Sequence, residues 1–231
     1  MVQLKEKKHL FFDLDNTLWD FDINSTAALS QLFDYYQLRE KLGTSLEEFL
    51  RIYYETNLQL WQQLSRREIT KTQLRHTRFD QTFRAFGHVT ETEYLSVSHD
   101  YLKLAPRGTA LLKDCKSTLT YLQTKYQLHL ITNGFAETQH IKLDTCGLRP
   151  FFKAIVISDE HQCLKPEPEI FRIAEELAGA ETSDCVMIGD NLDSDINGAI
   201  NAGWEAVYFS PTDKSFSGHS ISALSELLMI F

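Results

Sequence analysis

Unequal spacing between the polar residues that end its apolar runs constrains this chain more than any other feature. The run Leu10-Phe11-Phe12 breaks into Asp13-Leu14-Asp15, and Leu128-His129-Leu130-Ile131 breaks into Thr132-Asn133-Gly134. Ala154-Ile155-Val156-Ile157 is followed by a loop carrying Lys165, and Cys185-Val186-Met187-Ile188-Gly189 leads into Asp190. Short, nearly continuous apolar runs of this kind read as strands buried on both faces. Helical patterns lie between them at 111–122, 137–146, after Pro168 and through Ala199, with a further strand at 206–209 and a closing helix at 221–230. Strands alternating with helices predict a parallel sheet covered on both sides. Thr132 to Lys165 is 33 residues and Lys165 to Asp190 is 25, but Asp13 to Thr132 is 119. Since a βα repeat takes roughly 30 residues, about 85 residues after the first strand are surplus to the sheet.

That surplus has its own texture. Leu29, Leu32, Phe33 and Tyr36, then Phe49, Ile52 and Tyr53, then Phe79, Phe83 and Phe86 recur at helical spacing, and proline is absent from 24 to 105. Gly43 before Thr44-Ser45, and Gly87 before Thr90 with Glu93 three later, punctuate the stretch into helices. The expected fold is therefore α/β: a doubly wound, Rossmann-like parallel sheet formed by residues 1–20 and 106–231. An all-helical domain, residues 21–105, is inserted after strand 1.

Composition narrows the function classes. With 23 Lys and Arg against 32 Asp and Glu the net charge is −9, which disfavours a nucleic-acid polymer as partner because phosphate backbones are held by clustered cations. The insertion is neutral, so the core carries the whole imbalance. Cys115, Cys146, Cys163 and Cys185 form no CxxC pair and read as buried free thiols. No apolar window approaches the roughly 18 residues of a membrane span, and the charged amino terminus is no leader, so the cytoplasm is the expected location. A monomer or a homodimer is expected.

In an open parallel sheet, ligands bind at the carboxyl ends of the strands, where Asp13, Asp15, Thr132, Asn133, Gly134, Lys165, Asp190 and Asp195 fall in order. Asp13 and Asp15 are two apart, so in extended backbone they share a face. The segments Asp13-Leu-Asp15-Asn-Thr17, Ile131-Thr132-Asn133-Gly134, Lys165-Pro-Glu-Pro-Glu and Gly189-Asp190-Asn-Leu-Asp-Ser-Asp195 resemble the four motifs of the haloacid dehalogenase-like hydrolase superfamily. The helical insertion is similar to that family's first type of cap. Thr17-Leu-Trp-Asp-Phe21, Ile-Thr-Asn-Gly-Phe135 and Asn201-Ala-Gly203 resemble its bacterial pyrimidine 5′-nucleotidase branch.

The resemblance implies a phosphatase, and the residues suit one. A carboxylate can form an aspartyl-phosphate and split ester hydrolysis into two displacements, the role assigned to Asp13. Asp15 is expected to protonate the leaving alkoxide and then deprotonate water, because crowding by other carboxylates raises a carboxyl pKa. Converging carboxylates also call for a hard cation, and Mg²⁺ is expected on Asp13, the Asp15 carbonyl and Asp190, with Asp195 and Thr17 behind these ligands. The Thr132 hydroxyl, the backbone N–H groups of Asn133 and Gly134, and the Lys165 ammonium are expected to hold the phosphoryl oxygens.

Other readings concern the substrate. Arg67, Lys71, Arg75 and Arg78 make a basic stripe, read as a solvated face, from which Arg78 could reach an anionic substrate; Trp19 and Phe21 could stack on a base. A lid hinged near 19–24 and 104–108 would restrict substrates to small phosphorylated metabolites, nucleoside monophosphates first. The alternatives are a phosphatase of sugar phosphates or other small metabolites, a phosphomutase or, ranked lower, a 2-haloacid dehalogenase. A phospho-Asp receiver module is disfavoured, since one of about 120 residues has no use for the insertion.

Overall fold

The computed structural model describes residues 4–87, 90–212 and 216–231; the first residues of the charged amino terminus, Met1–Gln3, lie outside these. The chain forms two compact units, Met1–Phe21 with Thr109–Phe231, and Asp22–Gly108.

The first unit is built on six strands: β1 (His9–Phe12), β2 (Gln127–Thr132), β3 (Ala154–Ile157), β4 (Cys185–Gly189), β5 (Glu205–Phe209) and β6 (His219–Ile221). All pair in parallel, in the order β3-β2-β1-β4-β5-β6. Its α-helices are α6 (Cys115–Leu122), α7 (Ala136–Thr145), α8 (Ser158–His161), α9 (Pro168–Ala178), α10 (Gly198–Asn201) and α11 (Leu227–Ile230). The second unit holds α2 (Leu38–Leu42), α3 (Leu46–Ser65), α4 (Lys71–Arg84) and α5 (Glu91–Leu104), after α1 (Phe21–Tyr35), which begins at the unit boundary. Among the described residues no helix is long and apolar enough to cross a membrane.

Strand alternation explains why the first apolar run is continuous. Leu10 and Phe12 face one side, where α6, α7 and α11 bring Leu119, Leu143 and Leu227. Phe11 faces the other, against Ile170 and Phe171 of α9 and Ala199 of α10. Every residue of β1 is buried, as a central strand of a doubly covered sheet must be. The order of the strands reverses beside β1, with β2 and β3 on one side and β4 to β6 on the other. Register places Phe12 opposite both Leu130 and Ile188, so the chain leaves β1, β2 and β4 at neighbouring points.

The closing segment differs from expectation. Ile221 ends a sixth strand, and α11 is a short helix after a 3₁₀ turn at Leu224–Glu226. Glu226 explains the late start: its Oε1 accepts from the backbone N–H groups of Ser222 at 3.0 Å and Ala223 at 2.9 Å, holding that stretch out of the helix. In the helical unit Gly43 closes α2 in the left-handed region (φ 62°), and the Ser45 hydroxyl accepts from Glu48 N to open α3. A reciprocal Thr70–Gln73 box opens α4. Leu29, Phe33, Phe49, Tyr53, Phe79, Phe83 and Val97 fill this unit's core.

One buried pair makes the fold sensitive to acid. His9 Nδ1 lies 3.1 Å from His129 Nε2, the rings stack, and His129 Nδ1 accepts from Ala154 N at 3.2 Å. Burial, with His9 and Lys153 nearby, pushes His129 down to about 3 from 6.5. The unfolded chain therefore takes up a proton as pH falls below 6.5 while the folded chain does not. This stabilising contribution is whole above that pH and lost progressively toward pH 3. The thermal midpoint is expected to fall between pH 8 and pH 5, and the fall to shrink in His129→Phe; equal falls in the two proteins would contradict it.

Candidate active site

Asp13 extends β1 by one residue, its backbone N–H donating to Ile188 O at 2.9 Å, so its side chain emerges at the strand's carboxyl end. The chain then turns sharply. Thr17, Leu18 and Trp19 N–H groups all donate to Leu14 O, and Asn16 takes a left-handed conformation (φ 61°) that Asn tolerates. This turn brings the Thr17 hydroxyl to Asp190 Oδ1, 3.2 Å away.

Lys165 arrives from the loop after β3. Asn133 holds its backbone at two points, Oδ1 accepting from Lys165 N at 2.9 Å and Nδ2 donating to Lys165 O at 2.8 Å. The ammonium, 1% exposed, then reaches Asp13 Oδ1 at 2.6 Å, Asp195 Oδ1 at 2.7 Å and Ile131 O at 2.8 Å. Asp195 is fixed as firmly. Asn191 Oδ1 accepts from Asp193 N and Ser194 N and opens a wide helical turn, Leu192–Asn197. Asp195 Oδ2 then accepts from Asn191 N at 3.1 Å, and Oδ1 from the Ser194 hydroxyl at 3.2 Å. A Cβ on Gly189 would lie 2.2 Å from Asp195 Oδ2, so only glycine leaves the carboxylate its place.

Asp13, Asp190 and Asp195 bring carboxylate oxygens within 4.8 Å of one another. Among the described residues the Lys165 ammonium alone pairs with this group. Burial pushes the Asp13 carboxyl up to about 7 against the pull of Lys165, with Asp195 adding to the rise. Burial, then Asp13 and Asp195, lift Asp190 well above the carboxylate range. Burial works against the Lys165 ammonium, but its two carboxylate partners outweigh it and hold the lysine above its usual range. One ammonium cannot neutralise three carboxylates. An all-oxygen set with a surplus of negative charge fits a hard divalent cation. Both oxygens of Asp195 already accept from the protein, which leaves Asp13 and Asp190 the better donors.

Asp15 stands apart from this crowd. Its Oδ1 accepts from Lys142 Nζ at 2.6 Å and its Oδ2 from Gln139 Nε2 at 2.8 Å, both from α7. Neither partner was anticipated from sequence. The signal was present: Gln139 and Lys142 are three apart on the helix that follows Thr132-Asn133-Gly134, and so share one of its faces. Gly134 gains a second meaning, since a Cβ there would lie 1.5 Å from Gln139 Nε2. Its N–H points back to the Thr132 hydroxyl at 3.3 Å, and Thr132 is buried.

The substrate-facing expectations need correction. Trp19 is buried in the core, bridged to Leu111, with Lys142 Nζ 4.3 Å from its ring centroid and Phe21 against its edge. A ring so enclosed cannot stack on a base. Phe21 is half-buried and packs on the same core. Arg78 is 3% exposed, not part of a solvated stripe. Inside the helical unit its guanidinium lies 5.6, 5.7 and 5.0 Å from the ring centroids of Tyr53, Phe79 and Tyr101, and Nη1 donates to Asn57 Oδ1 at 3.1 Å. Three aromatic faces supply the attraction that draws the cation inward. Arg67 precedes α4 in a turn, off any common helix face.

The chain is similar to known proteins along most of its length. Pyrimidine 5′-nucleotidase PynA of Streptococcus pneumoniae is 33% identical over 88% of this chain and 84% of its own. Pyrimidine 5′-nucleotidase YjjG of Escherichia coli is 33% identical over 84% and 82%. The structure of the HAD-hydrolase YfnB from Bacillus subtilis, described as bound to magnesium, superposes with a TM-score of 0.88 at 28% identity, covering 97% of this chain and 98% of that one. The family described as haloacid dehalogenase-like hydrolase matches residues 7–203, the stretch that carries the whole carboxylate–lysine cluster; the chain belongs to that hydrolase family.

Proposed function

We propose that the chain is a Mg²⁺-dependent phosphomonoesterase acting through an aspartyl-phosphate on Asp13, with pyrimidine nucleoside 5′-monophosphates such as UMP, dUMP and dTMP as substrates. The observation that carries this reading is the Asp13 carboxylate at the end of β1, bonded to Lys165 and flanked by Asp190 and Asp195. Displacing halide from carbon needs neither a cation nor an acid for the leaving group. A dianionic phosphoryl group approaching several carboxylates needs a cation, and the two relatives named as pyrimidine 5′-nucleotidases support the substrate class.

An oxygen of Asp13 attacks phosphorus as the bond to the nucleoside 5′-oxygen breaks, and Asp15 passes its proton to that oxygen. Asp15 then takes a proton from water, whose oxygen attacks the same phosphorus, releasing phosphate and restoring Asp13. Lys165 neutralises charge on the phosphoryl oxygens during both displacements. Asp13, Asp190 and the Asp15 carbonyl would hold Mg²⁺, which when bound draws the phosphoryl group to Asp13 despite the surrounding negative charge.

Phosphate release from a panel of nucleotides and sugar phosphates tests this. Release from UMP, dUMP and dTMP is expected with Mg²⁺, lost with EDTA and recovered on adding Mg²⁺ back. Silence across the panel would defeat the reading, and faster turnover of sugar phosphates would defeat its substrate class.

A further inference from the structure

We infer that Gln139 and Lys142 are positioning residues that orient Asp15 for proton transfer to the leaving group, an inference resting on the reading of Asp15 as the acid and base.

The geometry is that of a clamp. A carboxylate offers about four lone-pair sites, two on each oxygen. Lys142 occupies one site on Oδ1 and Gln139 one on Oδ2, at 2.6 and 2.8 Å. Rotation of the carboxylate about its Cβ–Cγ bond would break both contacts at once. One site remains on each oxygen for a substrate oxygen or a water. Both clamping side chains are buried, and both come from one helix, so the pair moves as a unit.

The surroundings hold the clamp in turn. Lys142 lies over the Trp19 ring, 4.3 Å from its centroid, an attraction that leaves the ammonium free to donate to Asp15. The Gln139 amide fills the space that a Cβ at Gly134 would need, so the loop expected to bind phosphate is kept bare in order to admit it. With one site left open on each oxygen, Gln139 Nε2 and Lys142 Nζ keep the sites they occupy whether a proton stands on an open site or has been passed on, so the carboxylate holds one orientation throughout. A residue that must be acid in one step and base in the next needs such partners.

The consequence is specific to the leaving group. A nucleoside alkoxide must be protonated as it departs, whereas p-nitrophenolate leaves without a proton. Rapid mixing under single-turnover conditions measures nucleoside release from dTMP and p-nitrophenolate release from p-nitrophenyl phosphate. In Lys142→Met the ratio of the first rate to the second is expected to fall about 10- to 100-fold, the cost typical of a misplaced acid. Gln139→Met is expected to move the ratio in the same direction by less, and Lys142→Arg, which keeps the charge and the donors, to restore it to within about threefold. A ratio unchanged in both Met variants, whatever their absolute rates, would overturn the clamp, because mere loosening of the fold slows both substrates alike. Absence of turnover in the unaltered protein would instead defeat the phosphatase reading, and an unchanged ratio in Asp15→Asn the acid role of Asp15; neither result can be confused with failure of the clamp.

Discussion

Replacing Asp13 by Asn is expected to suppress phosphate release from every substrate by roughly 10⁴-fold or more, the scale seen when a nucleophile is removed from a covalent mechanism. The amide matches the carboxylate in volume, so packing gives no reason for the loss. Its nitrogen and oxygen are too weakly nucleophilic to attack phosphorus. Stability should move the other way. Burial pushes the Asp13 carboxyl up to about 7, which means that the fold bears a cost for keeping it charged. The Asp13→Asn change would reduce three clustered carboxylates to two, and Lys165 would still hold Asp195 at 2.7 Å. The thermal midpoint is therefore expected to stay level or rise while turnover disappears, as happens where catalysis requires a strained arrangement of charge. Phosphate release and a melting curve on the same preparation check both halves. Activity within about tenfold of the unaltered protein would place the nucleophile elsewhere.

Strand ends were the legible part of this chain, and the reason is topological. In a parallel sheet every strand points the same way, so Asp13, Thr132, Lys165 and Asp190 had to emerge at one edge once their runs were recognised as strands. Contacts made by a side chain's far end were less legible. Asp15 looked crowded by the carboxylates expected to converge at the strand ends, yet the partners of its own carboxylate are 124 and 127 positions away on α7. No periodicity announces which face of α7 turns toward the first loop. Trp19 lies between the catalytic strand and the insertion, a position that suggested exposure. Its bridge to Leu111 and the Lys142 ammonium on its face make it core instead. Arg78 misled in the same way: a charge on a helix reads as solvated, unless aromatic rings on neighbouring helices offer it another environment. The closing segment failed because three residues, His219–Ile221, are too few to show a strand's alternation.

Lys165→Met is expected to cost both activity and stability, and the two losses should separate. The ammonium is 1% exposed and bonded to Asp13, Asp195 and Ile131 O. Methionine fills much of its volume but leaves two buried carboxylates unpaired beside Asp190, a destabilisation of about 3–5 kcal/mol by the usual cost of breaking a buried ion pair. Phosphate release is expected to fall by roughly 10³-fold, the scale of losing one preorganised charge aimed at a developing oxyanion. Adding Asp195→Asn to Lys165→Met removes one of the stranded charges, so stability should partly return. Activity should not return, because no cation then faces the phosphoryl oxygens from the Lys165 position. A double-mutant cycle on thermal midpoint and on kcat reads the two couplings separately. Full recovery of turnover along with stability would mean that Lys165 acts only by holding Asp195 in place, and that the chemistry at Asp13 needs no ammonium.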